Sequence, residues 1–226
     1  MESTYYSTSS TSSFTMSKVF GWMFYAILLT ALTSLGLPYL LVYLNATEIY
    51  GGILIVGLIS VFLLSFLGQF IISRAKSKAT AITVFSLFAV AMGIWISPLV
   101  IMYDIGTLVY ALFVTAGVFG IMALYGAVTK RDLTGFGSFM MMLLMGSLLL
   151  LLLNIFIRSN TMQWIVSYVV LAVYIGFIAF DVQRVKRLAE TNQFGLNMAL
   201  LMALNLYIDF VYVFIRVVSL IGNNRN

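Results

Sequence analysis

Seven long apolar runs dominate this sequence, and they restrict the folds open to it more than any other feature. Each run is about 20 residues or longer, which is the length an α-helix needs to cross a bilayer; membrane β-strands are about half as long and alternate in polarity. The chain is 62% hydrophobic and only 8% charged, whereas soluble domains carry about 25% charged residues. These features predict an all-α integral membrane protein with seven transmembrane helices.

The apolar runs also predict where the helices begin and end. Residues 1–16 are rich in Ser, Thr and Tyr and poor in apolar residues, so we predict a disordered cytoplasmic tail there and one transmembrane domain at 17–226. Pro98 is expected to kink the third helix. The predicted helices span residues 19–44, 51–73, 79–103, 106–128, 135–157, 162–188 and 197–221.

The lysine and arginine residues predict the orientation of the chain in the cell membrane. With the N-terminus in the cytoplasm, nine of the twelve basic residues fall on the cytoplasmic side, and only Arg158, Arg216 and Arg225 fall outside. This asymmetry follows the positive-inside rule. We therefore predict a multi-pass protein with its N-terminus inside and its C-terminus outside. The basic loops account for the net charge of +5, so we expect no nucleic-acid partner.

Two acidic residues inside apolar runs are the main candidate site. The chain has no cysteine and no histidine, which excludes thiolate metal sites, thiol catalysis and imidazole acid–base chemistry. Any response to pH must then come from carboxylates. Asp181 and Asp209 lie on consecutive apolar helices, and an ionisable side chain within the membrane is costly and usually functional.

The seventh helix carries a polar stripe. Asn205, Asp209, Tyr212 and Arg216 fall within about 60° of one another at 100° per residue. A polar stripe on an apolar helix should face away from lipid, so we expect this helix at the centre of the bundle. The alternative for Arg216 is that it snorkels outward to the membrane surface.

Contact between the two aspartates would produce a simple gate. Counting along the helices places Asp181 and Asp209 about 10 and 18 Å from the intervening turn, so contact requires fraying or a break near the turn. Two carboxylates in a poorly solvated site cannot both stay ionised cheaply, and such a pair titrates as a unit. A shared proton would hold the helices together, and its loss would leave a negative pocket that attracts a cation.

Arg74 is the third candidate residue of this site. It ends the second helix on the same predicted side of the membrane, where its guanidinium could bond Asp181. Two simpler interpretations stay open. Arg74 could be only a cytoplasmic anchor, and Asp181 could be an interfacial residue that pairs locally with Arg184.

In these residues the chain resembles the transmembrane Bax inhibitor motif family, in its bacterial branch. The matching features are the seven-helix layout, AFDVQR in the sixth helix, ALNLYIDFVYVFIRVVSLIG in the seventh, GIWISPLV in the third and Arg74. The resemblance covers about residues 16–222 and implies six helices around a central seventh. It further implies a pH-sensitive calcium leak, gated by an aspartate pair that maps onto Asp181 and Asp209, with a basic residue that maps onto Arg74. Some members carry an acidic residue in the second helix, but residues 51–73 contain none, which speaks against an additional ion site there.

We therefore expect a pH-sensitive channel that leaks calcium or another cation, with no cofactor. Two carboxylates are too few for a tight calcium site, which takes six to eight oxygens, but weak and transient binding at Asp181 and Asp209 suits transit. One alternative is an intramembrane aspartyl protease, since a carboxylate dyad can activate water; Leu206, Tyr207 and Ile208 lack the glycines that open the backbone in such proteases. Another alternative is a non-catalytic regulator in the lipid bilayer that binds a protease or channel partner of unknown identity.

Overall fold

Helices joined by short turns and loops make up the described part of the chain. The computed structural model describes residues 2–190 and 195–223, with side chains described for residues 16–190 and 195–222. These residues form no strand, which confirms the all-α fold class. The α-helices in the described residues are, in chain order, α1 (Glu2–Tyr43), α2 (Tyr50–Leu63), α3 (Gln69–Arg74), α4 (Lys78–Ile96), α5 (Pro98–Met102), α6 (Ile105–Val128), α7 (Thr134–Ile157), α8 (Asn160–Glu190) and α9 (Leu196–Asn223).

Seven stretches of the described residues are long and apolar enough to cross a membrane, as predicted. Each begins and ends within four residues of its predicted bounds. The predicted division into a tail at 1–16 and a domain at 17–226 stays a prediction. The seven spans are Met16–Tyr43, Thr47–Arg74, Lys78–Met102, Ile105–Val128, Thr134–Ile157, Asn160–Glu190 and Leu196–Gly222.

Two of the spans are interrupted. In the third span, α4 ends at Ile96 and α5 begins with Pro98, because proline lacks the backbone N–H that a continuous helix needs. The predicted effect of Pro98 is therefore confirmed. In the second span, a π-helical turn at Leu64–Gly68 separates α2 from α3. Gly68, at the end of this turn, is buried and lies next to Val84 on α4.

The chain divides into two compact units, and α9 contributes to both of them. The first unit comprises residues 1–108 and 188–207. In it, α1 and α2 both pack on α4. The fully buried Tyr207 of α9 stacks edge-on against Phe88, with ring centroids 6.0 Å apart, and its hydroxyl lies 2.6 Å from Thr30 Oγ1. Aromatic and hydroxyl contacts therefore fix the first half of α9 within this unit.

The second unit comprises residues 109–187 and 208–226, and it contains both candidate aspartates. Small residues bring its helices close together: Gly126 of α6 lies against the backbone of Ala179 on α8, and Gly137 of α7 lies under the ring of Phe180. Large apolar side chains such as Phe156, which is 84% exposed, face outward. Outward apolar side chains are what a lipid-facing surface requires.

The seventh span is the most buried of the seven. In its most apolar 18-residue stretch, 61% of the residues are buried, against 11% in the fifth span. This burial agrees with an interior position for α9, although Tyr212 of the polar stripe is 37% exposed. The arrangement of six helices around this span stays a prediction.

Candidate functional site: the buried carboxyl pair

Asp181 of α8 and Asp209 of α9 meet inside the second unit. Their side chains are hydrogen-bonded to each other. The two residues are only 8% and 5% exposed. The contact that helix counting left open is therefore made, while the role of the pair stays a prediction.

The two acids sit within uninterrupted helices and next to buried apolar side chains. The backbone polar groups of α8 and α9 are satisfied within each helix, so only the carboxyl groups need partners. Around them Ala179, Val182, Phe210 and Val211 are all buried. Water that would otherwise solvate a charge is excluded, and an unpaired charge here is costly.

A hydrogen bond between two carboxyl groups requires a proton. An ionised carboxylate only accepts hydrogen bonds, so one member of the pair must carry hydrogen to donate. Asp209 Oδ2 is buried and has no hydrogen-bond partner among the described residues. The pair thus combines a hydrogen bond between the two carboxyl groups with a buried carboxyl oxygen that has no partner among the described residues.

Arg184 is the charged neighbour of the pair on α8. Its guanidinium lies one turn beyond Asp181 and is close enough to act on it electrostatically. Arg184 is exposed, whereas Asp181 is buried. Asp181 is therefore buried while Arg184 influences it, and the interpretation of Asp181 as an interfacial residue that pairs locally with Arg184 stays open.

Arg74 ends α3 in the first unit. The residue is exposed, and its guanidinium lies over the ring of Phe70, 4.1 Å from the centroid. Next to it, Asn197 at the start of α9 donates a hydrogen bond to the carbonyl oxygen of Ala75 at 2.8 Å. This bond ties the end of α3 to α9 within the first unit. The predicted bond between Arg74 and Asp181 would join residues of different units and stays a prediction.

The other residues of the predicted stripe lie in different surroundings. Asn205 is half-buried and belongs to the first unit. In the second unit, the ring of Tyr212 stacks on Tyr174 of α8, with centroids 4.6 Å apart and planes 3° from parallel. Arg216 is half-buried and donates a hydrogen bond to Ser167 Oγ on α8 at 3.3 Å. Arg216 is thus turned toward α8, and its predicted role stays a prediction.

The sequence interpretation missed Gln183, which fixes α8 on the side opposite the pair. Gln183 is 6% exposed. Its Oε1 accepts a hydrogen bond from the backbone N–H of Leu133 at 2.9 Å, and its Nε2 donates to the carbonyl oxygen of Arg131 at 2.7 Å. Residues two apart on a helix point in nearly opposite directions. Gln183 therefore holds the α6–α7 loop while Asp181 faces α9.

Basic residues that had been interpreted only as orientation signals also hold this loop. Arg187 pairs with Asp132 at 2.6 Å and donates to Thr134 Oγ1 at 3.0 Å. Lys186 donates to the carbonyl oxygen of Ala127 at 2.8 Å. Ala127 lies at the C-terminal end of α6, where a positive charge interacts favourably with the helix dipole. Hydrogen bonds from the side chain and backbone N–H of Thr134, with a smaller contribution from Arg187, hold the pKa of Asp132 well below its usual range.

The donor set of the pair limits what it could bind. Two carboxyl groups supply four oxygens, fewer than the six to eight that calcium takes in a tight site. The described residues contain no group of three or more acidic side chains that could hold a metal ion. The geometry is therefore compatible with a transient ion contact and not with a resident metal centre made by these side chains.

The fold and the pair define a multi-pass α-helical membrane protein with a buried carboxyl pair between its last two spans. The chain belongs to the family described as "Inhibitor of apoptosis-promoting Bax1", whose sequence model matches residues 12–226. This match confirms the resemblance to the Bax inhibitor family that the sequence motifs indicated.

Several bacterial proteins are similar to this chain over most of its length. The inner membrane protein YbhL of Escherichia coli is 33% identical over 221 residues, which is 93% of this chain and 92% of that protein. An uncharacterised protein of Rickettsia prowazekii is 30% identical over 217 residues, or 93% and 90% of the two chains. An uncharacterised membrane protein of Streptococcus pyogenes is 33% identical over 185 residues, or 81% and 78%. The inner-membrane relative supports a multi-pass membrane location, and the predicted orientation of the termini stays a prediction.

Proposed function

We propose that this protein is a pH-sensitive leak channel for calcium or another cation, and that the Asp181–Asp209 pair is its gate. One observation carries the proposal: two buried carboxyl groups from consecutive spans are hydrogen-bonded to each other within apolar surroundings. While the proton is shared, the pair ties α8 to the second half of α9. When the proton leaves, two like charges replace the hydrogen bond and repel each other.

The deprotonated pair would also attract the ion that passes. Two carboxylates in apolar surroundings create a strongly negative site, and Asp209 Oδ2 already lacks a partner among the described residues. The four oxygens of the pair are too few to bind calcium tightly. Weak binding favours conduction, since a conducted ion must leave as readily as it enters. Proton loss would then open the contact and recruit the cation in one step.

Calcium flux into proteoliposomes tests this proposal. Wild-type protein should admit calcium at a rate that depends on pH. Asp209→Asn and Asp181→Asn should each abolish the pH dependence, because an amide cannot lose the proton that the pair shares. The control is Glu48→Gln, which changes an exposed acid in the turn before α2 and should leave the pH profile unchanged. A wild-type pH profile in Asp209→Asn would contradict the proposal.

A second pair of variants tests Arg74. If Arg74 bonds Asp181 in one state of the channel, then Arg74→Gln should displace the pH profile of calcium flux. Lys76→Gln removes an exposed charge two residues away and should not displace it. Equal effects of the two variants would reduce Arg74 to a general membrane anchor.

A membrane regulator is the second candidate, because the family description names an inhibitor. Deletion of residues 2–16 would separate the two functions: a leak channel should keep its calcium flux, whereas a regulator that uses this segment should lose its partner in pull-downs from membranes. We do not favour an aspartyl protease. Leu206 and Tyr207 are fully buried within the continuous helix α9, so no opened backbone lies beside Asp209 to admit a peptide.

A further inference from the structure

A polar seam continues from the carboxyl pair along the contact between α8 and the second half of α9. On α8, three seam residues recur every seventh position, which is two helical turns, and so they share one face over about 21 Å. On α9, the seam residues fall at intervals of three and four, which also share a face. The seam consists of Ser167, Tyr174 and Asp181 on α8 and Asp209, Tyr212 and Arg216 on α9.

The first contact beyond the carboxyl pair is the stacked ring pair Tyr174–Tyr212. Its rings are nearly parallel, 3° apart in orientation, with centroids 4.6 Å apart. Tyr174 also packs on the apolar cluster of Met140, Val173 and Phe177. Its partner Tyr212 lies one helical turn after Asp209 on α9. Stacked rings leave no room for an ion between them, although the outer side of Tyr212 is 37% exposed.

The second contact is that of Arg216 with Ser167. Arg216 lies within the seventh span, six residues before its end at Gly222. A half-buried guanidinium in a membrane is costly, and such residues usually mark an ion pathway. Its hydrogen-bond partner among the described residues is the neutral Ser167 Oγ at 3.3 Å. The positive charge is therefore not cancelled there, and it acts on both Tyr174 and Tyr212.

We infer that this seam is the cation route beyond the gate, with Tyr174–Tyr212 as its constriction and Arg216 as a positive barrier that sets ionic selectivity. The inference rests on the proposed function and adds residues that determine specificity. A fixed positive charge opposes a cation in proportion to the charge of that ion. Arg216 should therefore restrain calcium more than potassium and keep the leak slow.

Paired flux measurements test the barrier. Arg216→Gln should raise potassium flux by roughly tenfold if the charge lies about 10 Å from the passing ion in a partly screened site, and should raise calcium flux by roughly the square of that factor. Arg216→Lys keeps the charge and should stay near wild type. The matched control is Arg158→Gln, which removes an exposed arginine after α7 and should change neither flux. An equal change for both ions, or no change, in a folded Arg216→Gln variant would overturn the inference.

The constriction has its own test. Tyr212→Ala should raise both fluxes by a similar factor because it removes bulk without changing charge, whereas Tyr212→Phe keeps the stacking and should leave both unchanged. Wild-type flux in Tyr212→Ala would place the route elsewhere.

A cysteine variant covers the case in which Arg216→Gln does not fold. Since the chain has no cysteine, Ser167→Cys gives a single reactive thiol in the seam. A positively charged thiol reagent should then lower calcium flux, and a negatively charged reagent of similar size should raise it. Equal effects of the two reagents would overturn the electrostatic barrier.

These outcomes separate the inference from the proposed function. A flux that depends on Asp209 but not on Arg216 or Tyr212 would remove the inference alone. Wild-type liposomes without cation flux would remove both.

Discussion

Gly126 of α6 packs directly against the backbone of Ala179 on α8, two residues before Asp181. A Cβ atom at position 126 would overlap the carbonyl oxygen of Ala179. Backbone atoms cannot move aside as the end of a flexible side chain can. The absence of a side chain at Gly126 therefore sets the spacing of α6 and α8 next to the carboxyl pair.

Gly126→Ala should destabilise the protein by about 1–3 kcal/mol, because one methyl group must push two helices apart. Gly120→Ala is the matched control on the same helix, since a Cβ there meets nothing within 4 Å. That control should be neutral or slightly stabilising, as alanine favours helix over glycine. Thermal unfolding in detergent would compare the two variants. Equal midpoints would show that the close approach carries no energetic weight.

Gln183→Leu should loosen the α6–α7 loop. The variant leaves the backbone N–H of Leu133 and the carbonyl oxygen of Arg131 without their partners, at a cost of about 1–3 kcal/mol. Hydrogen exchange at the Leu133 amide should accelerate, and the unfolding midpoint should fall. Gln163→Leu changes an exposed glutamine on the same helix and should leave the exchange rate unaltered. Slow exchange at Leu133 in Gln183→Leu would mean that the loop is held by Arg187 and Lys186 alone.

Thr30→Val should cost more stability than Tyr207→Phe, although both remove the same contact. Thr30 donates its one hydroxyl hydrogen to the carbonyl oxygen of Ala89 at 2.9 Å, so Tyr207 must be the donor in the 2.6 Å bond between them. Tyr207→Phe leaves the bond to Ala89 intact and should cost about 1 kcal/mol. Thr30→Val leaves the buried hydroxyl of Tyr207 unpaired and also removes the extra bond to the Ala89 carbonyl, which keeps its bond within α4; it should cost about twice as much. Chemical or thermal unfolding of both variants would check the order, and the reverse order would contradict this assignment of donors.

Asp132 should stabilise the fold at neutral pH and lose this effect in acid. Its pKa is lowered in the folded state, chiefly by hydrogen bonds from Thr134. A carboxylate of this kind stabilises the fold at a pH above its ordinary pKa of about 3.9. The stabilisation is lost as the pH falls through the lower pKa of the folded state. Asp132→Asn should therefore lower the unfolding midpoint near pH 7 and converge on wild type in strong acid.

The effect of Asp132 should also be small and sensitive to salt, since the side chains of Asp132 and Arg187 are 68% and 44% exposed. Concentrated salt should shrink the difference between Asp132→Asn and wild type. A difference that persists unchanged in acid and in salt would assign the role of Asp132 to packing.

The membrane spans could be predicted from the sequence because length and apolarity suffice to define them. The fifth span was expected at 135–157 and lies at Thr134–Ile157. The break before Pro98 also followed from the chemistry of one residue. Contact between Asp181 and Asp209 could not be predicted outright. Counting residues gives the depth of each residue along its helix axis, but it gives neither the tilt of the helices nor the reach of the side chains.

The hydrogen-bond partners of the polar residues could not be predicted from the sequence. Gln183 looked like part of a polar helix end, and nothing in its neighbours distinguishes a buried clamp from an exposed amide. Arg216 donates to Ser167 on another helix, and the sequence alone does not show which helix face lies beside it. A seventh-residue recurrence of Ser167, Tyr174 and Asp181 was visible, but it acquires meaning only when α9 is seen against that face.

The π-helical turn at Leu64–Gly68 alters the direction in which Arg74 leaves the second span. A wide turn of this kind accommodates one residue more than an α-helical turn, so every side chain after it is rotated by about 100° around the axis. A helical wheel drawn straight through from Tyr50 thus assigns Arg74 the wrong azimuth. Deleting one residue from this turn would restore regular winding and leave the guanidinium at its present azimuth, whereas regular winding at constant length would swing it by about 100°.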